Sequence, residues 1–390
     1  MSLTVLIAPS GFKESLSVKD VTLAISRGVR RAMPDAKILS APMVDGGEGT
    51  TEALIAATNG KMRRARVTGP VGQPVDSFWG VMGGKGPRTA VIEMAAAAGL
   101  SLVPRDRRDP TLTTSRGVGE LILQALDHGA ERILIGCGDS GVNDGGAGMA
   151  RALGARLLDA QGHELPEGGG ALERLAHIDI TGLDPRLRKT RIDAAVNWHN
   201  MLLGEKGVAR VFGPQKGATP EQVEQLDRGM QTYAACILRA TDRDVAPMQG
   251  AGASGGLGAG LIAFAGATLH PRFEIMLDYL DFDRLLGRAD LVITAEGALD
   301  GQSPYGKVPC EVSRRARELG IPTVALAGTI GKGARQTYGH GIAAYVSIVK
   351  RPCSLDEAIG KGAKLLRRAA ENAMRMMLVG QQLAERQHRA

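Results

Sequence analysis

Two carboxylates stand close together on bare backbone in VDGGEGT, residues 44–50, where Asp45 and Glu48 are separated and followed by glycines. Acids presented this way can ligate a divalent cation or take a proton from a hydroxyl. Asp-Gly is also ordinary turn chemistry, so the stretch taken alone reads first as a surface turn. Two other apolar runs end in the same kind of residue. TVLIAP (4–9) runs into SGFK, with Ser10 and Lys13, and DLVITAEG runs into ALDGQ, with Glu296 and Asp300. Ligands of open α/β sheets bind beyond the carboxyl ends of the strands. Three strands thus deliver Ser10 and Lys13, Asp45 and Glu48, and Glu296 and Asp300 to one expected edge, which moves VDGGEGT away from a mere turn.

GCGDSGVNDGGAG, residues 136–148, carries six glycines between a strand and a helix. Backbone N–H groups exposed at such a junction can bind phosphate or another anion. FGPQKGA (212–218) presents Lys216 between a proline and a glycine. GAGASGGLGAG (250–260) opens a small-residue helix, and its glycines serve close packing as readily as ligand contact. Three partial motifs mislead. Gly136, Gly138 and Gly141 match a dinucleotide GxGxxG with Asp159 downstream, but VNDGG separates them from the helix. GDSG echoes a serine-protease loop, and Val142 spoils GxSxG. GQSPYGKV (301–308) lacks the Ser or Thr of a Walker A motif, having Val308 instead.

The elements that must position these residues are legible from periodicity. TVLIAP is a strand; Ser17 caps a helix in which Val21, Ile25 and Val29 recur, stopped by Pro34; KILSAPMV is a strand and TEALIAATNG a helix. β-α-β-α of this kind predicts a parallel sheet with helices on its faces. Residues 61–93 turn often and predict mixed or antiparallel strands. RILIGCG is a strand, GGAGMARALG a helix and ARLLD a strand. From about Asp290 the first texture returns, with strands at DLVITAEG, PTVALAGTIG and AAYVSIV and one long closing helix from Leu355. The expected organisation is a discontinuous α/β domain from residues 1–66 and 271–390, with a second α/β domain, 67–270, inserted.

Composition narrows the function. Hydrophobic residues at 44% and charged residues at 23% describe a globular protein. The net charge of +7 suits a small anionic substrate, and 3% aromatics give no base-stacking surface, so nucleic acid is not expected. No signal peptide or membrane-length apolar run is seen, and the four cysteines show no CxxC pair. A cytoplasmic location and a monomer or homodimer are the expectation.

Taken in order, IAPSGFKESLS, PMVDGGEGT, GDSGVNDGGAGMARALG, VFGPQKGATPEQ, ASGGLGAGL and DLVITAEGALDGQSPYGK resemble the first of the two unrelated glycerate kinase families over nearly the whole chain. The resemblance implies a Rossmann-like or flavodoxin-like domain with an inserted mixed α/β domain. It implies an ATP- and Mg2+-dependent kinase acting on D-glycerate, commonly to 2-phosphoglycerate, in a cleft between the domains. It implies Asp45, Lys13 and Asp300 as catalytic residues, with Asp45 and Asp300 holding magnesium. Ser10, Glu48, Asn197, Lys216, Glu296, Gln302 and Lys307 would bind substrate. Gly138, Asp139, Ser140, Asn143, Asp144, Gly145, Gly146 and Ser254 would bind nucleotide. The chain departs from the family pattern where Asp139 replaces glycine, Asn197 an acid and Ala298 an arginine. A relative acting on another hydroxy acid, or catalytically altered, is the alternative. A nicotinamide-dependent enzyme using GCGDSG is a further one.

Overall fold

The apolar, partly β-branched run TVLI forms β1 (Thr4–Ile7), three of whose four residues are buried. The computed structural model describes residues 3–12, 15–305 and 307–387. Ser17 accepts the Asp20 N–H and starts the helix Val18–Ala32, whose buried stripe includes Val21, Ile25 and Val29. β2 (Lys37–Ser40) follows, then a helix, Thr50–Ala57. β3 (Lys61–Thr68), β4 (Pro74–Val81), β5 (Thr89–Glu93) and β6 (Arg132–Gly136) come next. A small antiparallel pair, β7 (Arg156–Leu158) and β8 (His177–Asp179), precedes β9 (Arg191–Val196) and β10 (Thr268–Pro271). β11 (Leu291–Leu299), β12 (Thr323–Ile330) and β13 (Ile342–Ser347) close the list.

Two compact units divide the chain: Met1–Val44 with Met276–Ala390, and Asp45–Ile275. The second unit thus begins at Asp45, earlier than the expected residue 67. The reason is pairing: β3 lies antiparallel to β4 along its whole length, from Lys61↔Val81 to Thr68↔Pro74, so it cannot belong to the first sheet.

The first unit holds a five-stranded sheet in the order β13-β12-β11-β1-β2. Every pairing in it is parallel. Counted within the unit this is the 2-1-3-4-5 order of doubly wound, flavodoxin-like sheets, whose strand order reverses between β1 and β11. The expected single closing helix is broken at Lys361 into Leu355–Gly360 and Gly362–Gln387. Ser15 marks the break, donating its hydroxyl to the Ile359 carbonyl, while Gly362 approaches the same hydroxyl too closely for a side chain.

The second unit holds a six-stranded mixed sheet in the order β10-β9-β6-β5-β4-β3, parallel from β10 to β5 and antiparallel beyond. The helix Ala253–Ala265 is buried at every position, which its small residues permit. Among the described residues no helix is long and apolar enough to cross a membrane.

In the first unit, Gly28 lets the helices Val18–Ala32 and Gly362–Gln387 touch. A Cβ there would stand 2.3 Å from the Arg367 carbonyl oxygen and 2.7 Å from the Ala370 Cβ. Gly28→Ala should therefore destabilise the protein by about 1–3 kcal/mol, the usual effect of overpacking, despite alanine's better helix propensity. Urea unfolding followed by circular dichroism measures it; an unchanged or raised midpoint would contradict the packing described.

Candidate functional site

Three parallel strands of the second sheet end side by side, with Gly136 of β6 opposite Ala195 of β9, and Val196 of β9 opposite Pro271 of β10. The residues just beyond them line one cavity of about 610 Å³. Gly138, Asp139 and Ser140 follow β6, Asn197 and Asn200 follow β9, and Arg272 follows β10. Glu48, Ser101, Arg108, Lys216 and Ser254 complete its polar lining. All of these belong to the second unit.

The glycines around Asp45 and Glu48 are needed by the chain itself. A Cβ on Gly136 would lie 2.6 Å from the Gly46 carbonyl oxygen, and one on Gly138 2.6 Å from the Gly47 Cα. The two loops therefore lie backbone on backbone. Asp139 sits in the left-handed region at φ 51°. Its Oδ2 accepts the Glu48 N–H at 2.9 Å, and Glu48 Oε1 in turn accepts the Ser101 hydroxyl at 2.6 Å. Asp45 is exposed and meets the Arg272 guanidinium at 3.4 Å. Arg272 also lies over the Phe273 ring.

Lys216 closes the short turn Pro214–Lys216 and is only 2% exposed. Its Nζ donates to Ser140 Oγ at 2.9 Å and to the Val142 carbonyl at 2.6 Å, and it has no ion pair among the described residues. Burial pushes its pKa down to about 7, with the nearby charge of Asp144 pulling weakly the other way. Ser254 stands at φ 52°, before Gly255 and Gly256, also at positive φ. Its buried hydroxyl has no partner among the described residues. Cys137 reaches the cavity too, but burial pushes its thiol up to about 12, so it is no nucleophile near neutral pH.

The expected phosphate loop divides in two. Gly138, Asp139 and Ser140 line the cavity, whereas Asn143, Asp144, Gly145 and Gly146 are buried in the wall and are not among its lining residues. Asp144 accepts the Ser115 N–H and hydroxyl and the N–H groups of Gly146 and Gly148, which makes it a clamp on the chain. Burial raises its pKa, and those four donors lower it again in part. A Cβ on Gly145 would strike the Tyr233 ring at 2.5 Å. The helix that follows, Ala147–Ala152, has six residues. Gly141 is likewise pressed against Val103 and Gly99, so the three glycines of the dinucleotide-like pattern are taken up by the chain's own packing.

The remaining expected residues lie in the first unit. Ser10 donates its hydroxyl to the Ala295 carbonyl at 3.0 Å, tying the end of β1 to β11. Lys307 holds Asp300 at 3.0 and 3.1 Å, and that contact is the largest cause of the lowered pKa of Asp300. Gln302 contributes its backbone N–H to the same carboxylate. Glu296 is half-buried near Cys310, whose thiol is pushed up to about 11 by burial and then by the charge of Glu296. Lys13 lies outside the described residues. Among the described residues no three His, Cys, Asp or Glu side chains gather as a metal set.

Sequence reasoning did not single out Arg108, Arg272 or Glu93. Arg272 had a signal, since it directly follows a strand; Arg108 had none inside the basic run RDRRD. Glu93 is an acid closing the apolar run TAVIE, and it is 2% exposed. It accepts the N–H groups of Thr51 at 3.0 Å and Gly49 at 3.4 Å, capping the helix that carries the Asp45–Glu48 loop at its start. Burial raises its pKa from 4.5 to about 7, outweighing those hydrogen bonds. A folded-state pKa above the unfolded one gives stability that is complete below 4.5 and is lost as pH rises through about 7. Glu93→Gln should therefore flatten the fall in melting temperature across that window. An identical pH profile in the variant would show that Glu93 does not titrate there.

The model of the Glycerate kinase family matches residues 5–378. "Glycerate 2-kinase" of Escherichia coli (strain K12) is 47% identical over 376 residues, 96% of this chain and 98% of that protein. "Glycerate kinase" of Bacillus subtilis (strain 168) is 47% identical over 368 residues, 94% of this chain and 96% of that one. A crystal structure from Salmonella typhimurium LT2, assigned by its description as glycerate kinase 2, superposes with a TM-score of 0.87 at 46% identity, covering 98% of this chain and 100% of that one. The chain belongs to the glycerate kinase family, and it is a kinase, a phosphotransferase acting on a hydroxyl.

Proposed function

We propose that the chain transfers the terminal phosphoryl group of ATP to a hydroxyl of D-glycerate, giving 2-phosphoglycerate. One observation carries this reading: a buried lysine with no carboxylate partner, Lys216, shares a cavity with two carboxylates, Glu48 and Asp139. A site for phosphoryl transfer needs positive charge around the moving group and oxygen donors for its metal, and little else. Lys216 supplies the first, and the Ser140 and Ser254 hydroxyls add hydrogen-bond donors beside it. Ser254 Oγ, buried and unpartnered among the described residues, is a group that a phosphate oxygen would satisfy.

Magnesium prefers one or two carboxylates together with substrate phosphates and water. Glu48 and Asp139 are hard oxygen donors of that kind and would hold it, stabilising charge on the transferring group. Asp45 and Asp300, the acids the resemblance implies for the metal, would first have to exchange Arg272 and Lys307 for it. In the reaction the substrate hydroxyl oxygen bonds to the terminal phosphorus, the bond to the bridging oxygen of ATP breaks, and the hydroxyl proton passes to a carboxylate. Asp45 is proposed as that acceptor.

Coupled assay of ADP release with D-glycerate and magnesium, with the product identified by NMR, tests the reading; absence of turnover would end it. Asp45→Asn should keep the fold and lower turnover by about two orders of magnitude, as loss of a positioned base does. Near-normal turnover would leave Asp45 as the partner of Arg272 alone.

Lys216 adds a pH dependence. Its folded-state pKa lies below the ordinary value, and an oxyanion bound beside it favours the ammonium. Nucleotide binding at about pH 8 should therefore take up protons, which calorimetry in buffers of different ionisation enthalpy detects. Lys216→Met should abolish the uptake; uptake unchanged in that variant would place the anion elsewhere.

A further inference from the structure

Arg108 is the second cation of the cavity without an ion pair among the described residues. Its guanidinium has no ion pair or hydrogen bond among the described residues, and its Nε is buried with no acceptor. Asp109, its neighbour in sequence, spends one carboxylate oxygen on the N–H and hydroxyl of Thr111 and the other on Gln222. Arg108 is also held against the turn of Lys216. Gly217 sits at φ 99°, and a Cβ there would stand 2.2 Å from the Arg108 carbonyl oxygen and 2.8 Å from the Arg108 Cβ. The fold thus brings two cations to one cavity by backbone contact, and neither has an ion pair among the described residues.

Two cations that line one cavity and have no ion pair among the described residues suit an anionic ligand, even with Glu48 and Asp139 in the same lining. We infer that Arg108, beside Lys216, binds the carboxylate of the hydroxy-acid substrate and so sets the preference for an acid over a neutral polyol. The inference rests on the proposed function and names the residue that recognises the substrate. The planar fork of a guanidinium presents paired N–H groups in the geometry of two carboxylate oxygens, and its two Nη atoms offer such a pair. A metal-bound phosphate chain has its own attraction, toward Glu48 and Asp139. The substrate carboxylate is repelled by those acids, which leaves it the Arg108 side of the charge distribution. The neutral amides of Asn197, Asn200 and Gln215 in the same lining suit hydroxyl groups.

Steady-state kinetics of the wild-type enzyme, Arg108→Met and Arg108→Lys, each varied in D-glycerate and in ATP, test this. Loss of a charged hydrogen-bond partner predicts a rise of about 10- to 100-fold in the KM for glycerate in Arg108→Met. The KM for ATP should stay within about twofold, and Arg108→Lys, which keeps the charge and loses the fork, should fall between. With glycerol as acceptor, lacking the carboxylate, wild type and Arg108→Met should differ little. An unchanged glycerate KM in a variant with wild-type melting temperature overturns the inference and leaves the proposed function standing. A rise confined to the KM for ATP overturns it too, moving Arg108 to the phosphates. No turnover of glycerate by the wild-type enzyme overturns both.

Discussion

The cavity of the second unit depends on how closely two pieces of main chain approach, Gly46–Gly47 against Gly136–Gly138. Side chains at these points would occupy the space of the opposing backbone, so the approach exists only because glycine has no Cβ. Its consequence is positional. Asp139 accepts the Glu48 N–H across this contact, and the Glu48 carboxylate is held in turn by the Ser101 hydroxyl.

Burial of charge is the second constraint, and the two buried ions are treated differently. Asp144 has four donors from its own chain and is satisfied as an anion. Lys216 has three N–H donors and only two acceptors, a hydroxyl and a carbonyl. The first ion is finished structure. The second is incomplete, and its deficit is one that an oxyanion removes, so binding energy there goes into restoring the ammonium form as well as into contact. The same distinction separates the buried half of the glycine loop, which clamps the chain, from the half that lines the cavity.

Most of the first unit was legible in sequence because local signals agreed there with the tertiary structure. Ser17, Asp20 and the Val21–Ile25–Val29 stripe mark a helix that forms where they place it. The strands TVLI, KILS and LVITAEGAL pair in parallel as the alternation of elements requires. Assignment of residues 45–66 was not legible. VDGGEGT follows β2 in sequence, but its glycines are shaped by β6 and β9, contacts with no local trace. Arg108 and Glu93 were hidden for the same reason: one sits in a run of charge that looks solvated, the other behind a helix start it caps from a distant strand. Glycine-rich stretches drew attention correctly but for a partly mistaken cause, since most of those glycines admit neighbouring backbone and only some border the cavity.

Asp139 stands where the resemblance implies glycine, and the left-handed backbone at this position is what glycine adopts freely. A residue with a Cβ is strained in it by roughly 1–2 kcal/mol, though aspartate tolerates it better than most. The carboxylate accepts the Glu48 N–H, an exposed hydrogen bond that works against that strain. Asp139 therefore does more than add negative charge to the cavity. It ties the loop after β6 to the loop carrying Glu48. Glycine at this position would relax the backbone and leave that tie unmade.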